Sequence, residues 1–165
     1  MVKEFEADRV GGLMPSGIRM ITRKCAEVNG INLGQGVCDE PAPQLIKDAA
    51  IKAVLDDKNI YSKYEGIDEL REHISKKMLA YNKINCDPVT EVTVNAGSTG
   101  GYVASCFSFI NPGDEVIMFE PFYGYHLNIL RLCKADIKYV KLTTPDWSFD
   151  YDQLKDVVTD KTKAI

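Results

Sequence analysis

A cluster of small and hydroxyl-bearing residues, Gly97-Ser98-Thr99-Gly100-Gly101, lies between the alternating segment 90–94 and the apolar run 102–110. This pattern predicts the junction of a β-strand with an α-helix. The first N–H groups of a helix have no partner within it, and together with the helix dipole they attract phosphate. The hydroxyls of Ser98 and Thr99 would add hydrogen bonds without bulk. The junction is not a Walker A loop, since it lacks the lysine, and small residues also permit tight helix–strand packing.

A second group of candidate residues follows the next predicted strand. The segment "NPGDEVIMFEPFYGYH" places Phe122 and Tyr123 just after the apolar run 116–119. Because ligands of open parallel sheets collect at the carboxyl ends of the strands, these rings are expected beside the phosphate junction. The face of an aromatic ring suits a planar cofactor. The alternative is that both rings only fill space between strand and helix.

The other reactive side chains form no catalytic or metal-binding pattern. No two of the five cysteines make a C-x-x-C pair, and only His73 and His126 are available, so zinc is not predicted. The cysteines are expected to be free thiols of a reducing compartment, with Cys106 in the core. His73, Lys161 and Lys163 are interpreted as solvated.

The pattern of the helices and strands that must position these candidates changes near residue 90. Before it, apolar spacing predicts helices over 16–30, 43–57 and 66–85 and a short strand over 31–36. Beyond it, the predicted strands are 90–94, 114–119, 136–142 and a start at 162, and the predicted helices are 98–110, 123–133 and 150–158. This alternation indicates βαβ units and a parallel sheet with helices on its faces.

Local signals add detail to these helices. Ser16 and Asp150 are predicted N-caps, Gly30 a C′ residue, and Gln153 the returning partner of a capping box. The apolar helix 98–110 is expected to be buried.

Composition excludes several classes of protein. Apolar residues make up 45% of the 165 residues and charged residues 27%, which is typical of a soluble globular chain. The net charge of −4 and the absence of a basic stripe argue against nucleic-acid binding. The N-terminus has no apolar run typical of a signal peptide, and no stretch reaches the roughly 20 apolar residues of a membrane span. We expect a cytoplasmic protein without a membrane or nucleic-acid partner.

Four segments in order carry a family resemblance: "INLGQG", "YSKYEGIDELREHI", "VNAGSTGG" and "NPGDEVIMFEPFYGYH". Together they resemble the N-terminal part of the class I/II aminotransferases, which are fold-type I enzymes dependent on pyridoxal 5′-phosphate (PLP). The resemblance runs from about Ser16 to Ile165. It implies a three-layer α/β sandwich with a mostly parallel sheet, incomplete in this chain. It also implies an N-terminal arm and substrate-side segment of the small domain over 1–40, and the beginning of the PLP-binding large domain over 41–165.

The resemblance assigns roles to individual residues. It implies that Gly97, Ser98 and Thr99 hold the PLP phosphate and that Tyr123 stacks on the pyridine ring. It further implies that Tyr61 reaches the phosphate of a neighbouring subunit's PLP, with Tyr64 as the alternative for the same role. It also implies that Gly36 and Ile18 border the substrate. The expected partners are an amino acid, a 2-oxo acid and a second copy of the chain.

Two departures from the family pattern affect the expected activity. The family reads Gly-x-Pro-Asp where this chain has Gly36-Val37-Cys38-Asp39, which leaves the substrate edge less defined. The family's Schiff-base lysine lies beyond the equivalent of residue 165, so the resemblance implies no catalytic residue here. We therefore expect a piece of a longer enzyme that is inactive alone.

Other interpretations remain open from the sequence. A small complete α/β domain fits the pattern as well. A PLP-dependent β-eliminating lyase or synthase shares this N-terminal half. A non-catalytic domain could use the same junction to bind phosphate-bearing ligands, or could self-associate through its sheet edge.

Overall fold

The sheet lies in the second half of the chain, as the alternating pattern predicts. In a computed structural model, which describes residues 5–165, one four-stranded sheet is present in the order β3-β2-β1-β4. Its strands are β1 (Glu115–Glu120), β2 (Asp136–Thr143), β3 (Ser148–Phe149) and β4 (Thr162–Ala164). Strand β1 pairs in parallel with β2 and with β4, whereas β3 pairs antiparallel with β2. The predicted α/β class with a mostly parallel sheet is confirmed.

Two compact units divide the chain. One contains the residues up to Gly34 together with Gly97–Ile165, and the other contains Gln35–Ala96. The helices of the first unit are α1 (Gly17–Glu27), α4 (Gly97–Phe109), α5 (Gly124–Leu132) and α6 (Tyr151–Val157). The helices of the second are α2 (Gln44–Leu55), α3 (Asp68–Lys77) and the π-helical turn Met78–Asn82. The domain boundary predicted at residue 40 stays a prediction.

The core of the first unit lies against one face of the sheet. Its buried side chains come from α4, β1 and α5 and the residue that follows α5. They are Cys106, Val116, Met118, Leu127, Leu130 and Cys133. The opposite face carries Phe119, whose ring lies 5.0 Å from that of Phe149 on β3. Burying alternate residues of β1 on two faces is what a continuous apolar strand predicts.

The helix ends follow the local signals with two corrections. Ser16 and Asp150 are N-caps whose side chains accept hydrogen bonds from the N–H groups of Arg19 and Asp152, as predicted. The left-handed residue after α1 is Asn29, at φ 49°, and not Gly30. Gly30 is one position further on, and its N–H donates to the Cys25 carbonyl at 2.8 Å, in the manner of a Schellman motif.

Gln153 was the second cap prediction to fail. Its Oε1 accepts a hydrogen bond from the Lys141 N–H on β2, at 3.2 Å, instead of returning to the start of α6. The side chain therefore ties α6 to the sheet.

Two predicted strands are wrong. Neither 31–36 nor 90–94 pairs with a strand among residues 5–165. In the first segment the Asn32 side chain accepts from the Gly34 N–H at 3.0 Å, which makes a local turn. In the second, the Val92 carbonyl accepts from the Arg71 side chain at 2.9 Å, so a side chain takes the place of a neighbouring strand.

Helix α4 is apolar but is not buried along its length. Cys106 is its one buried residue, while Phe107 and Phe109 are 62% and 68% exposed. Only one side of the helix packs on the core, because no element of the described chain covers the other. None of the helices in residues 5–165 combines the length and apolar content that a bilayer crossing requires.

Candidate functional site

The first turn of α4 contains the three residues predicted to hold a phosphate, Gly97, Ser98 and Thr99. Gly97 begins the helix at φ +73°, a backbone conformation that L side chains rarely adopt, and no atom lies within 4 Å of the position a Cβ would take. Ser98 and Thr99 follow and are exposed. Among the hydrogen bonds of residues 5–165, none involves the hydroxyl of either residue. The N–H groups of the turn lack intrahelical acceptors, so donors and hydroxyls are all available to an anion.

Tyr123 lies at the start of α5, just beyond the end of β1. It is the N-cap residue of that helix, and 48% of its surface is exposed. The His126 ring meets it edge to face, with centroids 5.3 Å apart and an interplanar angle of 83°. The other side of the His126 ring lies against Tyr102, at 4.2 Å and 30°. Three rings thus connect the start of α5 to α4, and Tyr102 is one helical turn beyond Ser98.

Tyr102 and its neighbour Cys106 are held in their neutral forms. Burial raises the pKa of the Tyr102 phenol, and a hydrogen bond with Cys106 raises that pKa further. Burial also raises the pKa of the Cys106 thiol, against a smaller opposing effect of Tyr102. Neither group is therefore an activated nucleophile. Their role is to pack and to orient the neighbouring rings.

Ile18 and Tyr123 both line a cavity of about 200 Å³. Its walls are the segment Met14–Ile18, the segment Phe122–Tyr125, and the side chains of Leu127 and Asn128. Asn128 holds the N-terminal segment by accepting from the Met14 N–H at 3.0 Å and donating to the Met14 carbonyl at 2.9 Å. The predicted substrate-side residue and the predicted stacking ring therefore border one space.

Tyr125, one of the residues that line this cavity, is hydrogen-bonded to Arg19 of α1. Arg19 Nε donates to the Tyr125 hydroxyl at 2.9 Å. A hydrogen bond from Ser16 and the hydrogen bond and charge of Arg19 lower the Tyr125 pKa, with Ser16 the larger cause. The first turn of α1 thus meets α5 through polar groups.

The remaining predicted site residues lie in the second unit. Gly36 is exposed, with no atom within 4 Å of a Cβ position. Tyr61 is fully exposed. Tyr64 is also exposed, and its hydrogen bond with Glu65 raises the pKa of its phenol. The roles predicted for these residues stay predictions.

Sequence reasoning missed two members of the ring cluster. His126 was considered only as a member of a catalytic or metal-binding pattern, and Tyr102 was not singled out. Their spacing held a signal, because His126 is three residues beyond Tyr123 on α5 and Tyr102 is four beyond Ser98 on α4. Such spacings place side chains on one helix face. The spacing alone does not show which face of each helix packs against the other helix.

Comparisons with known proteins identify a matching family. The model of the family "Aminotransferase class I and II" matches residues 28–165. A probable N-succinyldiaminopimelate aminotransferase of Mycobacterium tuberculosis is 33% identical over 141 residues, which are 84% of this chain and 35% of that protein. A probable aspartate/prephenate aminotransferase of Aquifex aeolicus is 33% identical over 165 residues, covering 96% of this chain and 42% of that protein.

A solved structure agrees with these sequence matches. The structure of N-succinyldiaminopimelate aminotransferase from Mycobacterium tuberculosis superposes with a TM-score of 0.87 at 28% identity, over 95% of this chain and 41% of that one. The chain thus spans 35–42% of the length of these three proteins.

Proposed function

Because this chain belongs to the aminotransferase class I and II family, we propose that it forms the phosphate-binding end of a PLP site. The enzyme to which that site belongs moves an amino group between an amino acid and a 2-oxo acid. The first turn of α4 carries the proposal, since it combines a left-handed glycine with unpartnered N–H and hydroxyl donors.

The residues present fit this cofactor. The Ser98 and Thr99 hydroxyls and the first N–H groups of α4 would hold the phosphate, which a helix N-terminus favours by its dipole. Tyr123, half-exposed at the start of α5, would cover the flat face of the ring. PLP supplies the electron sink for chemistry at the amino acid when it is bound.

The chain's own residues would therefore bind and orient, and would not transfer protons. Ile18, Tyr123 and the cavity they share would exclude water from one side of the substrate. The resemblance places the Schiff-base lysine later in family chains than the stretch matched here. The proposal consequently concerns cofactor binding by these residues and names the substrate only by class.

A second copy of the chain is the proposed partner, and the cytoplasm the proposed compartment. Tyr61 is fully exposed in the single chain. Exposure leaves its phenol available to a neighbouring subunit's phosphate, as the resemblance implies. Gly36 is exposed as well, consistent with a backbone that borders substrate.

Removing one hydroxyl tests the proposed phosphate site. We expect Ser98→Ala to weaken PLP binding roughly 10- to 150-fold, since a hydrogen bond to a charged group contributes about 1.5–3 kcal/mol. The affinity is measured by equilibrium titration with PLP and by competition with inorganic phosphate. Ser108→Ala is the matched control, because Ser108 is exposed on the same helix and donates only to the Ala104 carbonyl at 2.8 Å. Equal PLP affinity in wild type and Ser98→Ala would exclude the proposed site.

A further inference from the structure

Asn128 joins the N-terminal segment to α5 through both polar groups of its side-chain amide. Its Oδ1 accepts from the Met14 N–H at 3.0 Å, and its Nδ2 donates to the Met14 carbonyl at 2.9 Å. The two residues are 114 positions apart in the chain. One side chain thus pairs with the donor and the acceptor of a single backbone residue, which is what a neighbouring strand does in a sheet.

Two further side chains of α5 hold the same segment. Arg131 Nη1 donates to the Gly12 carbonyl at 3.0 Å, and the Tyr125 hydroxyl accepts from Arg19 Nε at 2.9 Å. Tyr125, Asn128 and Arg131 are spaced three residues apart, so they follow one side of the helix. We call the stretch 12–19, which these three side chains hold, the tethered segment.

The tethered segment forms one wall of the cavity that Tyr123 also lines. It contributes Met14 and Ile18 to that wall. Residues 13–16 belong to neither a helix nor a strand, and helix α1, which begins at Gly17, has no buried residue. Core packing therefore does little to fix this wall, and its position relative to Tyr123 depends on the hydrogen bonds to α5.

We propose that Asn128 is a positioning residue for this cavity: its paired hydrogen bonds to Met14 hold the tethered segment so that Ile18 stays on the wall beside Tyr123. The inference rests on the proposed function for its ligand but not for its geometry. An asparagine is required, because its amide offers a donor and an acceptor together, whereas an aspartate at neutral pH offers no donor and a leucine offers neither.

Two phosphorylated probes separate the positioning of this wall from the binding of the phosphate. Pyridoxamine 5′-phosphate carries the ring and the phosphate, and N-(5′-phosphopyridoxyl)-leucine adds an amino acid to the same ring. Leucine is chosen because no Asp, Glu, Lys, Arg or His of the described chain lines the cavity, which suits an apolar side chain. Equilibrium titration measures the affinity of the chain for each probe.

We expect Asn128→Leu to weaken binding of the leucine compound about fivefold, because the ligand must then order the released segment itself. The affinity for pyridoxamine phosphate should stay as in wild type. Asn128→Ala removes the same polar groups without a new apolar side chain at the cavity, and it should give the same result. Equal weakening of both probes would overturn the proposal, because that is the signature of a merely structural residue.

Amide hydrogen exchange resolved by residue tests the tether without a ligand. In both Asn128 variants the Met14 amide should exchange roughly 5- to 150-fold faster, because two hydrogen bonds to that residue are lost. Gln153→Leu is the matched control, since the Gln153 amide side chain accepts from the Lys141 N–H at 3.2 Å elsewhere in the same unit. It should change neither the exchange of Met14 nor the affinity for either probe.

A double variant tests whether Asn128 acts through Ile18. Ile18→Ala should also weaken binding of the leucine compound, and adding Asn128→Leu to it should weaken that binding little further, because the wall residue is already lost. Additive effects would overturn the proposal, as would unchanged exchange of Met14 or unchanged binding of the leucine compound in the Asn128 variants. If wild type binds neither probe, the proposed function fails, and the exchange of Met14 alone then decides the role of Asn128.

Discussion

Burial separates the five thiols of this chain into reactive and protected groups. Cys106 and Cys133 are buried, and burial raises the pKa of both. Cys38 is exposed. All five are free, as the sequence predicts. At the residue scale, therefore, accessibility and not spacing decides thiol chemistry.

We expect Cys38 to react with iodoacetamide at near-neutral pH while Cys106 and Cys133 stay unmodified in the folded chain. A raised thiol pKa favours folding below the ordinary cysteine pKa, and this contribution is lost as the pH rises through the folded value. Labelling of the two buried thiols should therefore begin only in alkali or on unfolding. Mass spectrometry of the proteolytic peptides measures the labelling of each cysteine. Simultaneous labelling of Cys38 and Cys106 at neutral pH would contradict the burial.

Tyr125 offers a titration that reports the contact of α1 with α5. Its lowered pKa should move up toward the ordinary tyrosine value in Arg19→Leu, which removes a hydrogen bond and a charge. Ultraviolet difference titration against Tyr125→Phe isolates this phenol from the other tyrosines. The lowered pKa contributes stability only above the ordinary tyrosine pKa, and that contribution is lost as the pH falls through the folded value. Arg19→Leu should thus leave the pH dependence of stability unchanged at neutral pH.

At the element scale, several helices are followed by a non-glycine residue with a positive φ, namely α1, α2, α5 and the π-helical turn. Lys134, just beyond α5, has φ 57°, which is unfavourable for a residue with a side chain. Its carbonyl accepts from the Gly113 N–H at 2.9 Å, so the turn orients the loop before β1. A glycine would adopt this conformation without strain.

We expect Lys134→Gly to raise the free energy of unfolding by about 0.5–1 kcal/mol. Lys163→Gly on β4 is the matched control and should lower it by a similar amount, because glycine weakens a strand. Urea denaturation measures both. A loss of stability in Lys134→Gly would show that the lysine side chain, not the backbone, matters at this position.

Helix α5 contributes Leu130 to the buried core of the first unit. Leu130 is 1% exposed within it. Leu130→Ala should lower the free energy of unfolding by about 2–5 kcal/mol, as truncation in a closed core does. Leu33→Ala, at a side chain 91% exposed in the same unit, should change it by less than about 0.5 kcal/mol. Equal effects of the two changes in urea denaturation would argue against this core.

At the scale of the whole molecule, many large apolar side chains of both units are exposed, Ile60 and Tyr61 among them. Exposed apolar surface of this extent favours association with another chain.

We therefore expect the purified chain to self-associate, in line with the proposed second copy. Sedimentation velocity should show the dimer fraction rising with protein concentration. Ile60→Ser, beside the exposed Tyr61, should shift the equilibrium toward monomer, whereas Lys155→Ser on α6 should not. A monomer at every concentration would contradict the proposed homodimer.

The sequence by itself determined the elements whose hydrogen bonds are local. All six α-helices, α1 to α6, were predicted, with the caps Ser16 and Asp150, because a helix closes its bonds within a few residues. Strands β1, β2 and β4 were predicted as well, since their apolar runs alternate with these helices. The start of α4 at Gly97 was predictable for the same local reason, from a glycine and two hydroxyl residues at a strand-to-helix junction.

Only the tertiary structure decided what depends on a distant partner. A strand needs a neighbouring strand, but the segment 90–94 is hydrogen-bonded to the Arg71 side chain instead. The alternating pattern there therefore predicted the wrong element. The two-residue strand β3 exists only because β2 pairs with it. His126 joins Tyr102 to Tyr123 because α4 and α5 pack on one face of the sheet. Spacing places a side chain on a face of its own helix, but packing free energy between elements selects what that face meets.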